Sequence, residues 1–359
     1  LISLLEVKKL VRPELLALEP YHVPSHSGVI KLDANENTYD FPQEVLEDVF
    51  RAVDGQTFGR YPDPSAEVLR TALAEYTGVA PDRIVVGNGS DELILTLMLA
   101  FAAGGKVVIA TPTFGMYAIH ATIAGAEVVA LPRRAGFSVD PEAVLAAAGR
   151  PGVRLVVLCS PNNPTGNTIS PDVTAQILDG TGAVVLLDEA YYEFCGETAV
   201  PLLARHPHLV ILRTFSKAFG LAGLRVGYML AGEEVTGMVR RIKQPFNLNA
   251  FSQLVAARLL TWRPVFERRI REICRSRDEL LAAMRRIPGV TVFPSRANFI
   301  LFRTLFPAQQ VYEGLLVRGV LVRLLDGPDL PGCLRVSVGQ PDENAAFLQA
   351  LTEVVEKRG

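Results

Sequence analysis

Cysteine is scarce in this chain. Cys159, Cys195, Cys274 and Cys333 lie far apart, with no Cys-x-x-Cys pair and no histidine at ligand spacing. That argues against a disulfide framework or a zinc module, and reduced, mostly buried thiols in a cytosolic protein are expected. The five histidines are equally scattered; His206 and His208 flank Pro207 in what reads as a surface turn rather than a metal site. No run of ~20 apolar residues occurs, so no membrane span is expected. An excess of one charge is missing too: 36 basic against 38 acidic residues leave a net charge of -2. Such a balance supplies no electrostatic reason to bind nucleic acid or an anionic membrane, so any anion must be held locally. The dinucleotide fingerprint Gly-x-Gly-x-x-Gly is incomplete, because after Gly87 and Gly89 the last position is Glu92, which argues against a nicotinamide dehydrogenase. Repeats and low-complexity tracts are absent. The first eighteen residues, with Lys8, Lys9 and Arg12 in an amphipathic pattern, lack the order of a signal peptide. Ser3 and Glu6 have capping-box spacing, which predicts a helix start. A chain that opens on Leu1 is expected to lack its initiator methionine.

What is present is a long alternation of strand, turn and helix. Ile84 to Val86, Val107 to Ala110, Val128 to Leu131, Leu155 to Leu158, Val184 to Leu187, Leu209 to Leu212 and Val226 to Leu230 are short apolar runs rich in β-branched residues. This pattern predicts an α/β fold with a mostly parallel sheet sandwiched by helices. After Pro245 the texture changes to a smaller α+β module: one long helical stretch from about Ala250 to Arg286, then strands at Val290 to Phe293, Asn298 to Phe302, Val320 to Val322 and Leu334 to Val338. The expected division is an N-terminal arm over 1–32, a large domain over 33–246 and a small domain over 247–359.

Chemistry concentrates in Ser216-Lys217-Ala218-Phe219-Gly220-Leu221-Ala222-Gly223-Leu224-Arg225. A lysine among small residues, with a hydroxyl before it and an arginine eight positions on, suits Schiff-base chemistry beside a bound phosphate. A lone loop lysine is ordinarily a solvated charge, but two further motifs accompany it. Val184-Val185-Leu186-Leu187 carries Asp188 at its carboxyl end, followed by Glu189-Ala190-Tyr191, and such strand ends are where ligands gather in open α/β sheets. Ser160-Pro161-Asn162-Asn163-Pro164-Thr165-Gly166 is a sharp loop that presents asparagine from a rigid backbone. Gly89-Ser90-Asp91 opens a helix after a strand; its free amides and dipole attract an anion, though an ordinary helix cap by Ser90 fits the same residues.

Asn-Pro-Thr-Gly, Asp-Glu-Ala-Tyr and Ser-Lys-Ala-Phe-Gly-Leu-Ala-Gly-Leu-Arg, in that order, resemble the motifs of the fold-type I pyridoxal-phosphate aminotransferases. The similarity runs from about Leu32 to the C-terminus, and within the family it is greatest to the histidinol-phosphate aminotransferases. The resemblance implies pyridoxal 5'-phosphate as cofactor, with Lys217 as Schiff-base lysine and Asp188 facing the pyridinium nitrogen. It places Tyr191 and Asn163 on the phenolic oxygen, and Ser216 and Arg225 on the phosphate beside Gly89, Ser90 and Asp91. Phe114 takes the place of the aromatic residue that stacks on the ring, where many members carry tyrosine. Tyr61, in Arg60-Tyr61-Pro62-Asp63-Pro64, resembles the tyrosine that reaches the neighbouring subunit's cofactor phosphate in a homodimer.

On the substrate side, alternation in Cys333-Leu334-Arg335-Val336-Ser337 puts Arg335 and Ser337 on one strand face, and Arg335 resembles the family's carboxylate-binding arginine. Arg323 is the natural second guanidinium, or else an ion-pair partner of Asp326 or Asp329. Two such cations in one pocket call for an anion to neutralise them. Asn35, in Leu32-Asp33-Ala34-Asn35-Glu36-Asn37, and Tyr21 are weaker substrate-side candidates, and Thr38 departs from the proline common after that motif. The implied reaction is a cytoplasmic transamination between L-histidinol phosphate and 2-oxoglutarate. Alternatives sharing the motifs are an aromatic amino acid aminotransferase and a decarboxylase of a phosphorylated amino acid. A ligand-sensing regulator is also conceivable, although no basic recognition helix is visible.

Overall fold

The seven apolar runs form the seven strands of one sheet: β2 (Ile84–Asn88), β3 (Lys106–Thr111), β4 (Glu127–Pro132), β5 (Val153–Cys159), β6 (Val184–Asp188), β7 (Leu209–Thr214) and β8 (Val226–Ala231), in the order β2-β8-β7-β6-β5-β3-β4. A further strand, β1 (Ile30–Lys31), precedes them in the chain. The computed structural model describes residues 4–20, 26–325 and 327–356. Only β8 runs against its neighbours; every other pairing between adjacent strands is parallel. Both faces are buried, which is why the runs read as continuous rather than alternating. Along β6, Val185 and Leu187 join one core cluster while Leu186 joins the other.

Strand polarity has a direct consequence for function. The carboxyl ends of β2, β3, β5, β6 and β7 all lie at one edge, and the antiparallel β8 begins there. That edge therefore carries the segments around Gly89, Phe114, Asn163, Asp188, Lys217 and Arg225, which are far apart in sequence.

The second sheet has four antiparallel strands, β12 (Arg323–Leu324), β13 (Cys333–Ser337), β10 (Phe299–Thr304) and β9 (Val290–Val292), in that order. β11 (Val320–Leu321) does not join it but pairs in parallel with β1. The expected strand Val320 to Val322 is thus split from its continuation, because β1 captures its first half. Leu32, just after β1, is fully buried in the core that covers this sheet.

Three expectations need amendment. The helical stretch after Ala250 is two helices, Ala250–Thr261 and Arg263–Met284, broken at Trp262, with Pro264 supplying a residue without an amide donor in the first turn of the second. Packing does not divide at residue 246: Val255, Leu259, Phe266 and Ile273 belong to the large-sheet core, whereas Leu280 and Met284 belong to the small one. The second helix therefore packs into both cores. His206 is 7% exposed rather than on the surface. At the N-terminus a helix covers Leu4–Leu10, and its expected Ser3 cap lies outside the described residues.

Leu186 sits in the central strand with no exposure. Leu186→Ala is expected to lower unfolding free energy by about 2–5 kcal/mol through lost burial and a residual cavity, measured by chemical denaturation. A change below about 0.5 kcal/mol would mean that this face is not tightly packed.

Candidate active site

At the start of the helix Ser90–Leu97 no side chain caps the first amides, so they are open to an anion. Gly89 has φ +78, and a Cβ there would meet the Arg225 guanidinium at 2.5 Å; a Cβ on Gly227 would meet the Ser90 nitrogen at 2.3 Å. Glycine at both positions lets β8 and this turn approach closely. The Gly89 amide donates to the Arg225 carbonyl at 2.8 Å, and the Arg225 side chain pairs with Asp91 at 3.2 Å. Ser216 Oγ accepts from Thr214 Oγ1 at 3.0 Å and is buried. These amides, the Ser216 hydroxyl and the Arg225 guanidinium could hold an anion such as a phosphate.

Lys217 follows β7 and turns inward, its Nζ donating to the Ala34 carbonyl at 3.0 Å. Burial, reinforced by the Arg335 charge, lowers this amine from its ordinary 10.5 to about 8, which raises the share of nucleophilic free amine at neutral pH. Asp188 ends β6 and is 4% exposed. One carboxylate oxygen accepts from the Ala190 amide at 2.9 Å and the other from the Tyr117 hydroxyl at 2.7 Å. Burial pushes this carboxyl up to about 6 against the pull of those donors. No lysine, arginine or histidine among the described residues forms an ion pair with it. A buried acid without a counter-cation suits a cationic ring nitrogen.

In the second sheet, Arg335 is buried on β13. It donates to Asn163 Oδ1 at 2.5 Å and to the Asp33 carbonyl at 2.6 Å, with its guanidinium 5.4 Å from the Phe299 ring centroid. Arg323 stands opposite Arg335 in the register of β12 with β13, so both cations lie on one face. Asn35, with φ +54, is held by Ser337 Oγ at 2.8 Å and by Asn298 at 3.1 Å. Its amide donates to the Tyr191 hydroxyl at 2.9 Å. Tyr191 is buried edge-on against Phe299, and burial raises its hydroxyl well above the ordinary value.

The structure thus brings Lys217, Asn163, Tyr191, Arg335 and Asn35 into one hydrogen-bonded neighbourhood with the Ala34 carbonyl. Phe114 is half-buried at the same edge, its ring 5.5 Å from that of Tyr117 and at 87° to it. Tyr61 is 81% exposed and stacks on Phe246 at 4.5 Å. Tyr21 lies outside the described residues.

Several contributors escaped sequence reasoning. Asn162, fully buried, accepts from Thr113 at 2.7 Å and donates to the Pro112 carbonyl at 3.0 Å, so it ties the Phe114 loop to the Asn163 loop. Asn37 donates to the Ala218 carbonyl at 3.1 Å, beside the lysine. Tyr117 reaches Asp188 across the fold. Phe114 lies before the helix Met116–Ile123 that carries Tyr117, so no local spacing flags it.

This geometry gathers at one sheet edge a buried lysine, a buried acid and a helix start open to an anion, with a pair of arginines on one face of the second sheet. The chain belongs to the class I and II aminotransferases, whose family model, "Aminotransferase class I and II", matches residues 27–351. It is 39% identical to the histidinol-phosphate aminotransferase of Thermoanaerobacter pseudethanolicus over 97% of this chain and 99% of that one. With the enzyme of the same name from Thermococcus gammatolerans it shares 44% over 94% and 95%. In structure it resembles the histidinol-phosphate aminotransferase of Sinorhizobium meliloti, solved in complex with pyridoxal-5'-phosphate, with a TM-score of 0.89 at 26% identity, covering 97% of this chain and 98% of that one.

With cofactor-free protein and pyridoxal 5'-phosphate, the rate of borohydride-trappable adduct formation at Lys217 is expected to rise with pH to about 8 and then level. An exposed lysine would continue to gain towards 10.5. Peptide mapping across a pH series measures this, and a rise that persists past pH 10 would show an undepressed amine.

Proposed function

We propose that this chain transaminates L-histidinol phosphate with 2-oxoglutarate, giving imidazole-acetol phosphate and L-glutamate, a step of histidine biosynthesis in the cytoplasm. The observation that carries the choice is the buried Arg335, braced by Asn163 and Asp33, with Arg323 opposite it in register. Two forked cations on one face accommodate a phosphate dianion in one half-reaction and a carboxylate in the other.

The residues present fit pyridoxal 5'-phosphate. Gly89, Ser90, Asp91, Ser216 and Arg225 would hold its phosphate; Phe114 would cover one ring face, Asp188 the ring nitrogen, and Tyr191 with Asn163 the phenolic oxygen. When bound, that group supplies an electron sink for the bond broken at the substrate Cα. Lys217 Nζ, freed as a neutral amine by its depressed proton affinity, takes the proton from Cα and returns it to the acceptor carbon. Asp188, as a carboxylate, keeps a proton on the ring nitrogen. Arg335 fixes the distal anion and thereby turns the Cα–H bond towards the lysine.

Turnover of histidinol phosphate with 2-oxoglutarate is expected to exceed that of phenylalanine at least about tenfold, since an extra charged contact is worth that much or more. Arg335→Lys should lower kcat/KM by about 10–100-fold by removing the fork. Inactivity towards the phosphate ester, or carbon dioxide release from threonine phosphate without keto-acid turnover, would overturn the reading.

The exposed Tyr61, stacked on Phe246 with Phe58 also exposed nearby in sequence, supports a homodimer in which each tyrosine completes the partner's phosphate cradle. Mixing Tyr61→Ala with Lys217→Ala chains should then restore activity that neither has alone. Mixtures no better than the sum of their parts would refute the shared site.

A further inference from the structure

We propose that Tyr117 is a positioning residue of the reaction, acting through Asp188: its hydroxyl locks the carboxylate so that the proton shared with the cofactor's ring nitrogen stays on the ring. The inference rests on the reading above that Asp188 faces that nitrogen. It concerns a residue that no motif singled out.

The geometry is specific. Tyr117 is 1% exposed and its hydroxyl donates to Asp188 Oδ2 at 2.7 Å. Asp188 Oδ1 already accepts from the Ala190 amide at 2.9 Å. With one oxygen held from its own loop and the other from the helix Met116–Ile123, the carboxylate plane cannot swing. The same tyrosine ring meets Phe114 edge-on at 5.5 Å. One residue therefore sets both the acid and the aromatic ring that the proposed cofactor would touch.

The second half of the argument is chemical. The carboxylates of Asp91 and Glu189 oppose the charge of Asp188, and Cys159, opposite it on β5, offers a thiol that burial pushes up to about 12 rather than a counter-charge. Burial alone would favour the neutral acid. A neutral acid could not retain a proton on the ring nitrogen. Besides the Ala190 amide, the Tyr117 hydroxyl is the donor that favours the carboxylate. Burial and the adjacent carboxylate hold that hydroxyl well above its ordinary titration range, so it remains a donor throughout the working pH.

Tyr117→Phe keeps the ring and removes only the oxygen. Four proteins decide the matter: wild type, Tyr117→Phe, Asp188→Asn and the double variant. Tyr117→Phe is expected to lower kcat about tenfold with KM changed less than about twofold, and to weaken pyridoxal 5'-phosphate binding to the cofactor-free protein several-fold. The double variant should match Asp188→Asn, because the tyrosine acts only through the acid. A readout without cofactor is the pH dependence of stability. A buried acid whose folded pKa lies above its unfolded value holds stability at low pH and loses it as pH rises through the folded value. For Asp188 that window runs from 3.8 to about 6, and in Tyr117→Phe the loss should be larger and extend to higher pH. A merely structural tyrosine would instead lower stability equally at all pH values, leave kcat and cofactor affinity unchanged, or add its effect to that of Asp188→Asn. Any of these overturns the proposal. Wild-type kcat in Asp188→Asn would instead overturn the underlying reading of the acid.

Discussion

The site exists because of strand direction. Six of the seven strands of the large sheet point their carboxyl ends at one edge and the single antiparallel strand begins there. Loops carrying a lysine, an acid, an asparagine, an aromatic ring and an uncapped helix start are thereby delivered to one place. Reverse any of these strands and its functional loop would emerge on the opposite side of the sheet. The buried apolar runs that drive sheet formation are in this sense what assembles the chemistry.

A second constraint joins the two sheets. The segment from Asp33 to Asn37 is stitched to the small sheet through Arg335, Ser337 and Asn298, and to the large one through Lys217, Ala218 and Tyr191. Its turn passes through the left-handed backbone of Asn35, a conformation that asparagine tolerates better than most residues. Hydrogen bonds to the adjacent Asp33 and Ala34 carbonyls tie the Arg335 guanidinium to the Lys217 amine. Arg335 and Lys217 are consequently held in one polar network that bridges the two sheets.

Electrostatics within the site follow from burial more than from pairing. Lys217 is pushed towards its neutral form and Asp188 towards its protonated form by loss of solvent, and local donors or charges then adjust each. Arg335 helps to deprotonate the lysine, while Tyr117 and Ala190 help to ionise the acid. Each group is shifted towards a state in which it can exchange protons near neutrality.

Much of this was legible in the residues. The seven apolar runs appear as strands because doubly buried β-branched segments have few other ways to hide their backbone, and Lys217, Asp188 and Asn163 stand out because each sits in a local motif with turn chemistry on either side. The break at Trp262, the capture of Val320 by β1 and the long helix shared by both cores were not legible, since each depends on a partner distant in sequence. The same holds for Tyr117 and Asn162. Nothing in the neighbourhood of Tyr117 separates a core tyrosine from one aimed at an acid 71 positions away. Local propensity and burial pattern are properties of a segment and can be read from it; hydrogen-bond partnership is a property of two segments and is decided only when the sheet sets their distance.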